Sequence, residues 1–244
     1  GPVADTPPPI RGNGPTTVPA PAGDLDLVNN GGGYVTVTGM PDDSTLRASG
    51  TGDVYVSRPD GDLTLVNDLT DGGDLYVDRV IDGAAVNVSG NGPTTVSNPA
   101  GDIDVANAGP GPLTVRCLLD GKTITTSGAG DVNVTNPRGS VVLENAGPGT
   151  ATVEGVNVGQ TVTVSGEGTT TVANPDGDVI VHNDGPGRVD VTGVADGAAV
   201  ITSGVGPIAI DANGSLSGVN MGTGAVSVNG LNDGQSLEVR GRGD

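Results

Sequence analysis

An aliphatic residue occurs at every ninth or tenth position along almost the whole chain. Each of these positions is Val, Leu or Ile, and the steps between them alternate between nine and ten, apart from one step of twelve and a final pair of nines. We call these positions the anchors: Val18, Leu27, Val37, Leu46, Val56, Leu65, Val77, Val86, Val96, Val105, Val115, Ile124, Val134, Leu143, Val153, Val162, Val172, Val181, Val191, Val200, Ile210, Val219, Val228 and Leu237. So regular a spacing predicts a repetitive fold with one short element for every anchor.

Around each anchor, apolar and polar residues alternate with a period of two. Val54-Tyr55-Val56 and Val132-Asn133-Val134 are examples, and Gly, Pro, Asn and Asp separate such runs. This alternation, with its β-branched side chains, is typical of strands that bury one face. No useful length of sequence has the period of a helix. The pattern therefore predicts an all-β chain of short strands.

The repeat has two levels. The motif Ser-Gly-x-Gly begins at Ser89, Ser127, Ser165 and Ser203, and these even intervals define a 38-residue unit. An echo of this turn begins at Ala108, halfway between Ser89 and Ser127, so each unit divides into two halves. An earlier copy begins at Ser49, which is 40 residues before Ser89 instead of 38. The difference indicates a two-residue insertion near Leu69.

Half a unit, a 19-residue segment with two strands and two turns, fits one coil of a parallel β-solenoid. We therefore predict an elongated parallel β-solenoid of about 12 coils, arranged as six 38-residue repeats, in which each coil buries its apolar face against its neighbours. The pattern resembles β-solenoid (parallel β-helix or β-roll-like) repeat proteins as a class over residues 11–240, without pointing to one family. The alternative is a six-bladed β-propeller, since a 38-residue unit with four strands is close to one blade. Residues 1–10 are predicted to be a Pro-rich linker, residues 11–240 a single repeat domain and residues 241–244 a tail.

The composition indicates how wide the interior is and which classes of partner the chain can bind. The chain has 44 Gly and 18 Pro, no Trp or Phe and three Tyr, so Val, Leu and Ile must fill a narrow core. Its formal charge of −19 disfavours nucleic acid and anionic membranes. No apolar run is long enough to insert in a membrane, and the single Cys117 excludes an internal disulfide framework. A surface glycan or a protein receptor remains as partner, and the oligomeric state stays open.

The residue before each odd-numbered anchor should point outward, and these residues should form one column along the solenoid. The column is Thr17, Thr36, Tyr55, Tyr76, Thr95, Thr114, Asn133, Thr152, Thr171, Asp190, Ala209 and Ser227. Tyr55 and Tyr76 would be adjacent in it, with Tyr34 close by, and such aromatic rings could stack on a sugar. Cross-strand aromatic pairing, with no ligand, is the structural alternative. The threonines suggest an ice-binding lattice as a further alternative, although strand propensity alone explains them.

A second column of carboxylates is expected at one turn of the solenoid. It comprises Asp24, Asp62, Asp102 and Asp178 in odd coils and Asp42, Asp82, Asp120 and Asp196 in even coils, with Asp233 in the same series. Carboxylates that repeat about 5 Å apart repel one another, so calcium is a candidate cofactor along this edge. The alternative is ordinary turn chemistry, in which each Asp hydrogen-bonds its own backbone. A ladder of Asn at the ends of odd coils is interpreted as structural: Asn29, Asn67, Asn107, Asn145, Asn183 and Asn220.

The sequence contains no recognisable catalytic constellation. His182 is the only histidine and lies at an outward position whose neighbours Asp178 and Asp184 belong to turns. The repeat also continues almost unbroken, whereas an active site would interrupt it. We therefore expect a non-enzymatic structural or adhesion module, extracellular or on a cell surface, that presents a repetitive acidic surface. The alternatives are a carbohydrate-binding or carbohydrate-cleaving β-helix protein and, third, an ice-binding or calcium-binding solenoid.

Overall fold

The computed structural model describes residue 11, residues 13–231 and residues 236–241, with the backbone alone described for the last five. These residues form strands joined by turns, and none of them belongs to a helix that could cross a membrane. The strands are β1 Thr16–Val18, β2 Leu25–Asn29, β3 Val35–Thr38, β4 Ser44–Gly50, β5 Val54–Ser57, β6 Leu63–Leu69, β7 Leu75–Asp78, β8 Ala84–Ser89, β9 Thr94–Ser97, β10 Ile103–Asn107, β11 Leu113–Arg116, β12 Lys122–Ser127, β13 Val132–Thr135, β14 Val141–Asn145, β15 Ala151–Glu154, β16 Thr161–Gly166, β17 Thr170–Ala173, β18 Val179–Asn183, β19 Val189–Val194, β20 Ala199–Gly204, β21 Ile208–Ala212, β22 Leu216–Asn220, β23 Val226–Asn229 and β24 Leu237–Gly241. The predicted linker 1–10, Asp233 and residues 242–244 of the predicted tail lie outside the described residues.

The strands form two parallel sheets of 12 strands each. The odd-numbered strands make sheet I and the even-numbered strands make sheet II, and each strand pairs with the strands two before and two after it. One odd strand and the even strand that follows it make one coil. This is the predicted β-solenoid, and each anchor lies on its own strand. The propeller alternative is wrong, because its blades would be separate four-stranded antiparallel sheets.

The chain divides into two compact units. The first comprises the residues up to Arg116 together with Gly128–Val132, and the second comprises Cys117–Ser127 and the chain from Asn133 onward. Coils of the same design build both units. The predicted domain bounds stay a prediction.

The interior of each coil is filled by the anchors and by the residues two positions away. Every anchor from Leu27 to Ile210 is buried, whereas Val18, Val219 and Val228 are half-buried. The bulkiest fully buried side chains are Leu, Ile and Met. The core thus lacks aromatic rings, and truncation of an anchor such as Leu65 to Ala should cost about 2–5 kcal/mol.

One corner of the coil explains why the repeat spans two coils rather than one. In even coils a buried aliphatic residue occupies this corner: Met40, Val80, Leu118, Val156 and Val194. In odd coils the corner is a buried proline: Pro21, Pro59, Pro99, Pro137 and Pro175. The N–H after a proline donates to the carbonyl of the preceding aliphatic corner, as from Asp60 to Met40 at 2.9 Å. Neighbouring coils therefore alternate in shape at this corner.

The two sheets differ in register. In sheet I each anchor pairs with the equivalent anchor of the next coil, usually 19 residues later, as Val153 with Val172. The step is longer at the insertion, where Val56 pairs with Val77, and shorter near the C-terminal end, where Ile210 pairs with Val228. In sheet II a 21-residue step leads from an odd to an even coil, so Leu143 pairs with Val164 rather than with the anchor Val162. From an even to an odd coil, sheet II usually keeps the 19-residue step, as from Lys122 to Val141.

The buried Asn ladder sets this register at the ends of the sheet II strands. Asn183 donates from Nδ2 to the carbonyls of Gly187 and Pro207, both at 3.0 Å, and its Oδ1 accepts from the N–H of Gly185 at 3.2 Å. Its strand neighbour is Gly204, with φ of 97°, where any Cβ would overlap the Asn183 carbonyl. The same arrangement opposes Asn29 to the glycine at position 50. The ladder is structural, as expected, and explains the glycine that follows Ser in the repeated motif.

Candidate functional site

The three tyrosines lie together on the outer face of sheet I in the first unit. Tyr55 and Tyr76 are paired in register, with ring centroids 4.7 Å apart and ring planes only 13° from parallel. Tyr34 lies two residues before Thr36, the coil 2 member of the predicted column. Its ring packs edge to face on Tyr55, with the ring centroids 5.5 Å apart and the ring planes at 75°. The predicted proximity of the three rings is therefore confirmed. Their role toward a ligand remains a proposal.

One aspartate holds Tyr76 in place, and a second aspartate holds the first. The Tyr76 hydroxyl donates to Asp74 Oδ2 at 2.9 Å, and the backbone N–H of Asp74 donates to Asp53 Oδ1 at 3.0 Å. The hydrogen bond to Asp74, together with burial, raises the pKa of Tyr76 to about 12. Burial first, and then the negative charges of Asp53 and Asp74, raise the pKa of Tyr55. Both hydroxyls thus stay protonated well above neutral pH, and the single O–H of Tyr76 is already donated to Asp74.

The rings form one side of a shallow groove of about 520 Å³, which we call the tyrosine groove. Polar side chains form its other side: Ser57, Asp78, Ser97 and Asn98. Asn98 Nδ2 donates to Asp78 Oδ1 at 3.2 Å, so these two side chains are held together. An apolar wall facing a row of hydroxyl, amide and carboxylate groups suits a ligand with one apolar face and a polar edge.

A second hollow of about 520 Å³ adjoins the tyrosine groove and shares Ser57 and Asp78 with it. Its remaining lining includes Thr38 and two arginines, Arg58 and Arg79. Arg79 Nε lies 3.4 Å from Asp78 Oδ2, and the Arg79 side chain is 56% exposed. The two hollows therefore join the aromatic wall to a positively charged end within a strongly acidic chain.

Both arginines occupy a left-handed backbone position that recurs once per coil. Arg58 has φ of 51° and Arg79 has φ of 59°. Elsewhere from residue 39 to residue 193 this position is glycine or asparagine, apart from Cys117: Gly39, Asn98, Asn136, Gly155, Asn174 and Gly193. We did not single out either arginine from the sequence. The available signal was that Arg58-Pro59 stands where later odd coils carry Asn-Pro.

The predicted carboxylate edge exists, and backbone N–H groups occupy it. Asp42, Asp82, Asp120 and Asp196 each accept, through Oδ1, the N–H of a residue in the next coil at 2.6–2.8 Å. Asp24, Asp62 and Asp178 also accept, through Oδ1, the N–H of a residue in the next coil, at 2.7–2.8 Å. Asp102 likewise has an interaction partner. The aspartates therefore bind backbone groups, but those of the next coil and not, as the alternative had it, those of their own turn. Within the described part of the chain, no three His, Cys, Asp or Glu side chains are grouped to hold a metal ion, and calcium at this edge stays a prediction.

His182 has closer polar neighbours than its sequence context suggests. Its Nδ1 lies 2.6 Å from Ser203 Oγ and its Nε2 lies 2.7 Å from Asp184 Oδ2. The sequence context shows only turn residues near His182, but the 21-residue step in sheet II places Ser203 beside it, whereas a 19-residue step would place Ile201 there. The histidine is half-exposed on a strand face and Asp184 is more than half exposed, so this trio lacks the water-excluding surroundings that make such groups strong catalysts.

Comparison of the chain with protein-family models, with curated proteins and with solved structures finds no match in any of the three.

Proposed function

We propose that this chain is a non-enzymatic adhesion module, secreted or attached to a cell surface, that binds a glycan in the tyrosine groove. The observation that carries the proposal is that all three aromatic residues of the chain lie in one groove opposite a row of polar side chains. A sugar ring has the same two-sided character, with an apolar face of C–H groups and a polar edge of hydroxyls.

The sugar would lie with its apolar face against the tyrosine wall. Tyr55 stands between Tyr34 and Tyr76 and is still 36% exposed, whereas Tyr34 is the most exposed of the three at 49%. Sugar hydroxyls would then face Asp78 and Asn98 across the groove. Since Asp74 holds Tyr76 and the three rings pack on one another, binding would cost little ordering of these side chains.

The surrounding coils suit a display role. The same coil design repeats on either side of the groove, and most of the groove's lining residues lie on paired strands. The formal charge of −19 keeps such a module soluble and repels other acidic surfaces. Binding without chemistry is the activity that these features support.

A glycan array probed with the intact chain tests the proposal. We expect binding to a limited set of glycans, and we expect Tyr34→Ala to weaken it about fivefold to tenfold through loss of ring contact. Thr114→Ala is the matched control, because Thr114 belongs to the same outward column but lies outside the groove. Equal binding by the Tyr34→Ala variant, or no binding to any glycan, contradicts the proposal. Cleavage of a bound glycan, detected by mass spectrometry, would contradict its non-enzymatic part.

A further inference from the structure

We infer that the tyrosine groove selects sugars that carry an anionic group, a carboxylate or a sulfate, which Arg58 and Arg79 bind at its end. This inference rests on the proposed glycan binding and specifies the ligand class. The two arginines line the hollow that continues the groove through Ser57 and Asp78. An anionic substituent on a sugar that lies against the tyrosines could therefore extend into the hollow that Arg58 and Arg79 line.

The backbone conformation at Arg58 and Arg79 indicates that these two arginines do not serve to stabilise the fold. A residue other than Gly, Asn or Asp pays a conformational penalty at positive φ, and asparagine or glycine occupies this position in six other coils. Residues held in such conformations cluster at binding sites, where the side chain has another role. Cys117 is a third exception, away from the groove. Arg58 follows the strand of Tyr55 and Arg79 follows the strand of Tyr76, so the two charged exceptions both occur in coils that form the aromatic wall.

The charge pattern points in the same direction. The chain has 10 Lys and Arg against 29 Asp and Glu, yet two arginines of successive coils line this one hollow. Asp78 pairs with Arg79 in an exposed contact, which contributes little and leaves guanidinium N–H groups for a ligand. For Arg58, the part of the chain that the structure describes supplies no salt-bridge partner. Guanidinium groups bind carboxylate and sulfate-like oxygens through paired hydrogen bonds.

Pairs of ligands that differ only in charge test the inference by isothermal titration calorimetry. One pair is a hyaluronan hexasaccharide, which carries uronic acid carboxylates, and its neutral methyl ester. The other is 6-O-sulfated chitohexaose and plain chitohexaose. We expect the charged member of at least one pair to bind about tenfold or more tightly than its neutral partner, and the advantage to shrink with added salt. The pair that shows the advantage identifies carboxylate or sulfate as the group bound.

Asparagine replacements separate binding from folding. We expect Arg58→Asn and Arg79→Asn to remove most of the advantage of the charged ligand, to leave affinity for the neutral ligand unchanged, and to keep or raise Tm, because asparagine suits the left-handed backbone. Arg47→Asn is the control, since Arg47 is a similarly exposed arginine on sheet II, away from the groove.

Each outcome bears on one proposal or on both. Tyr34-dependent binding with no preference for charge, or with a preference that both asparagine variants keep, overturns the anionic ligand class and leaves glycan binding standing. If none of the four oligosaccharides binds and the glycan array is also blank, both proposals are overturned. If the array shows binding to neutral glycans alone, only the anionic class falls.

Discussion

The Oδ1 atom of Asp42 accepts a hydrogen bond from the backbone N–H of Asp62, 2.8 Å away in the next coil. In the same way the N–H of Asp102 donates to Asp82, and the N–H of Ser140 donates to Asp120. A glycine precedes each donor because the aspartate side chain fills the space that a Cβ would need. This ladder connects neighbouring coils at an edge where the carboxylates would otherwise only repel one another.

Val158 interrupts the ladder and provides its test. It occupies the position of Asp120 in the next even coil, is 60% exposed, and packs beside Gly177 where an aspartate would be. We expect Val158→Asp to raise the free energy of unfolding by about 0.5–1 kcal/mol, because the new carboxylate can accept the N–H of Asp178. Urea denaturation measures this. Val205→Asp, which adds the same charge at another exposed valine of the same unit, is the control, and equal stability of the two variants would count against the ladder.

Calcium at the carboxylate edge can be tested by thermal melting. One oxygen of Asp42, Asp62 and Asp82 is already bonded to a backbone N–H, whereas calcium requires six to eight oxygen ligands. We therefore expect Tm to stay the same when millimolar calcium replaces a chelator. A rise in Tm that Asp62→Asn abolishes would instead establish a calcium site at this edge.

Two buried threonines at the same strand position differ in their hydrogen bonds. Thr94 Oγ1 accepts from Asn67 Nδ2 at 3.0 Å, whereas Thr170 Oγ1 is buried and has no hydrogen-bond partner within the described residues. We expect Thr170→Val to stabilise the chain by about 1 kcal/mol and Thr94→Val to destabilise it by a similar amount. Urea denaturation of the two single variants checks both signs, and a loss of stability in Thr170→Val would show that its hydroxyl is satisfied.

Tyr76 should titrate well above an ordinary tyrosine. Its hydrogen bond to Asp74 raises its pKa to about 12 from the ordinary value of 10.0. A raised pKa means that this contribution to stability is complete below about pH 10 and is lost as pH rises toward 12. The difference in phenolate absorbance between the wild type and Tyr76→Phe isolates this residue. We expect Asp74→Asn to move the titration to lower pH, and an unchanged titration would show that Asp74 is not the cause.

The sequence determined the strands by itself. Every predicted anchor lies on its own strand, and the column that joins Tyr55 to Tyr76 points outward as predicted, except at Ala209, which is buried. Both results depend on alternation within the chain and on a constant spacing, which local physical chemistry dictates because a strand exposes alternate residues to opposite faces. The position of the carboxylate edge followed from the same spacing.

Only the tertiary structure decided how the coils meet. The 21-residue step in sheet II brings Ser203 rather than Ile201 beside His182, and it depends on a buried Asn packing against a glycine one coil away. Likewise, a left-handed turn in each of two successive coils places Arg58 and Arg79 next to the tyrosine groove. Such contacts join residues about 20 positions apart, and side-chain packing and hydrogen bonds between coils fix them, so a period read along the chain does not contain them.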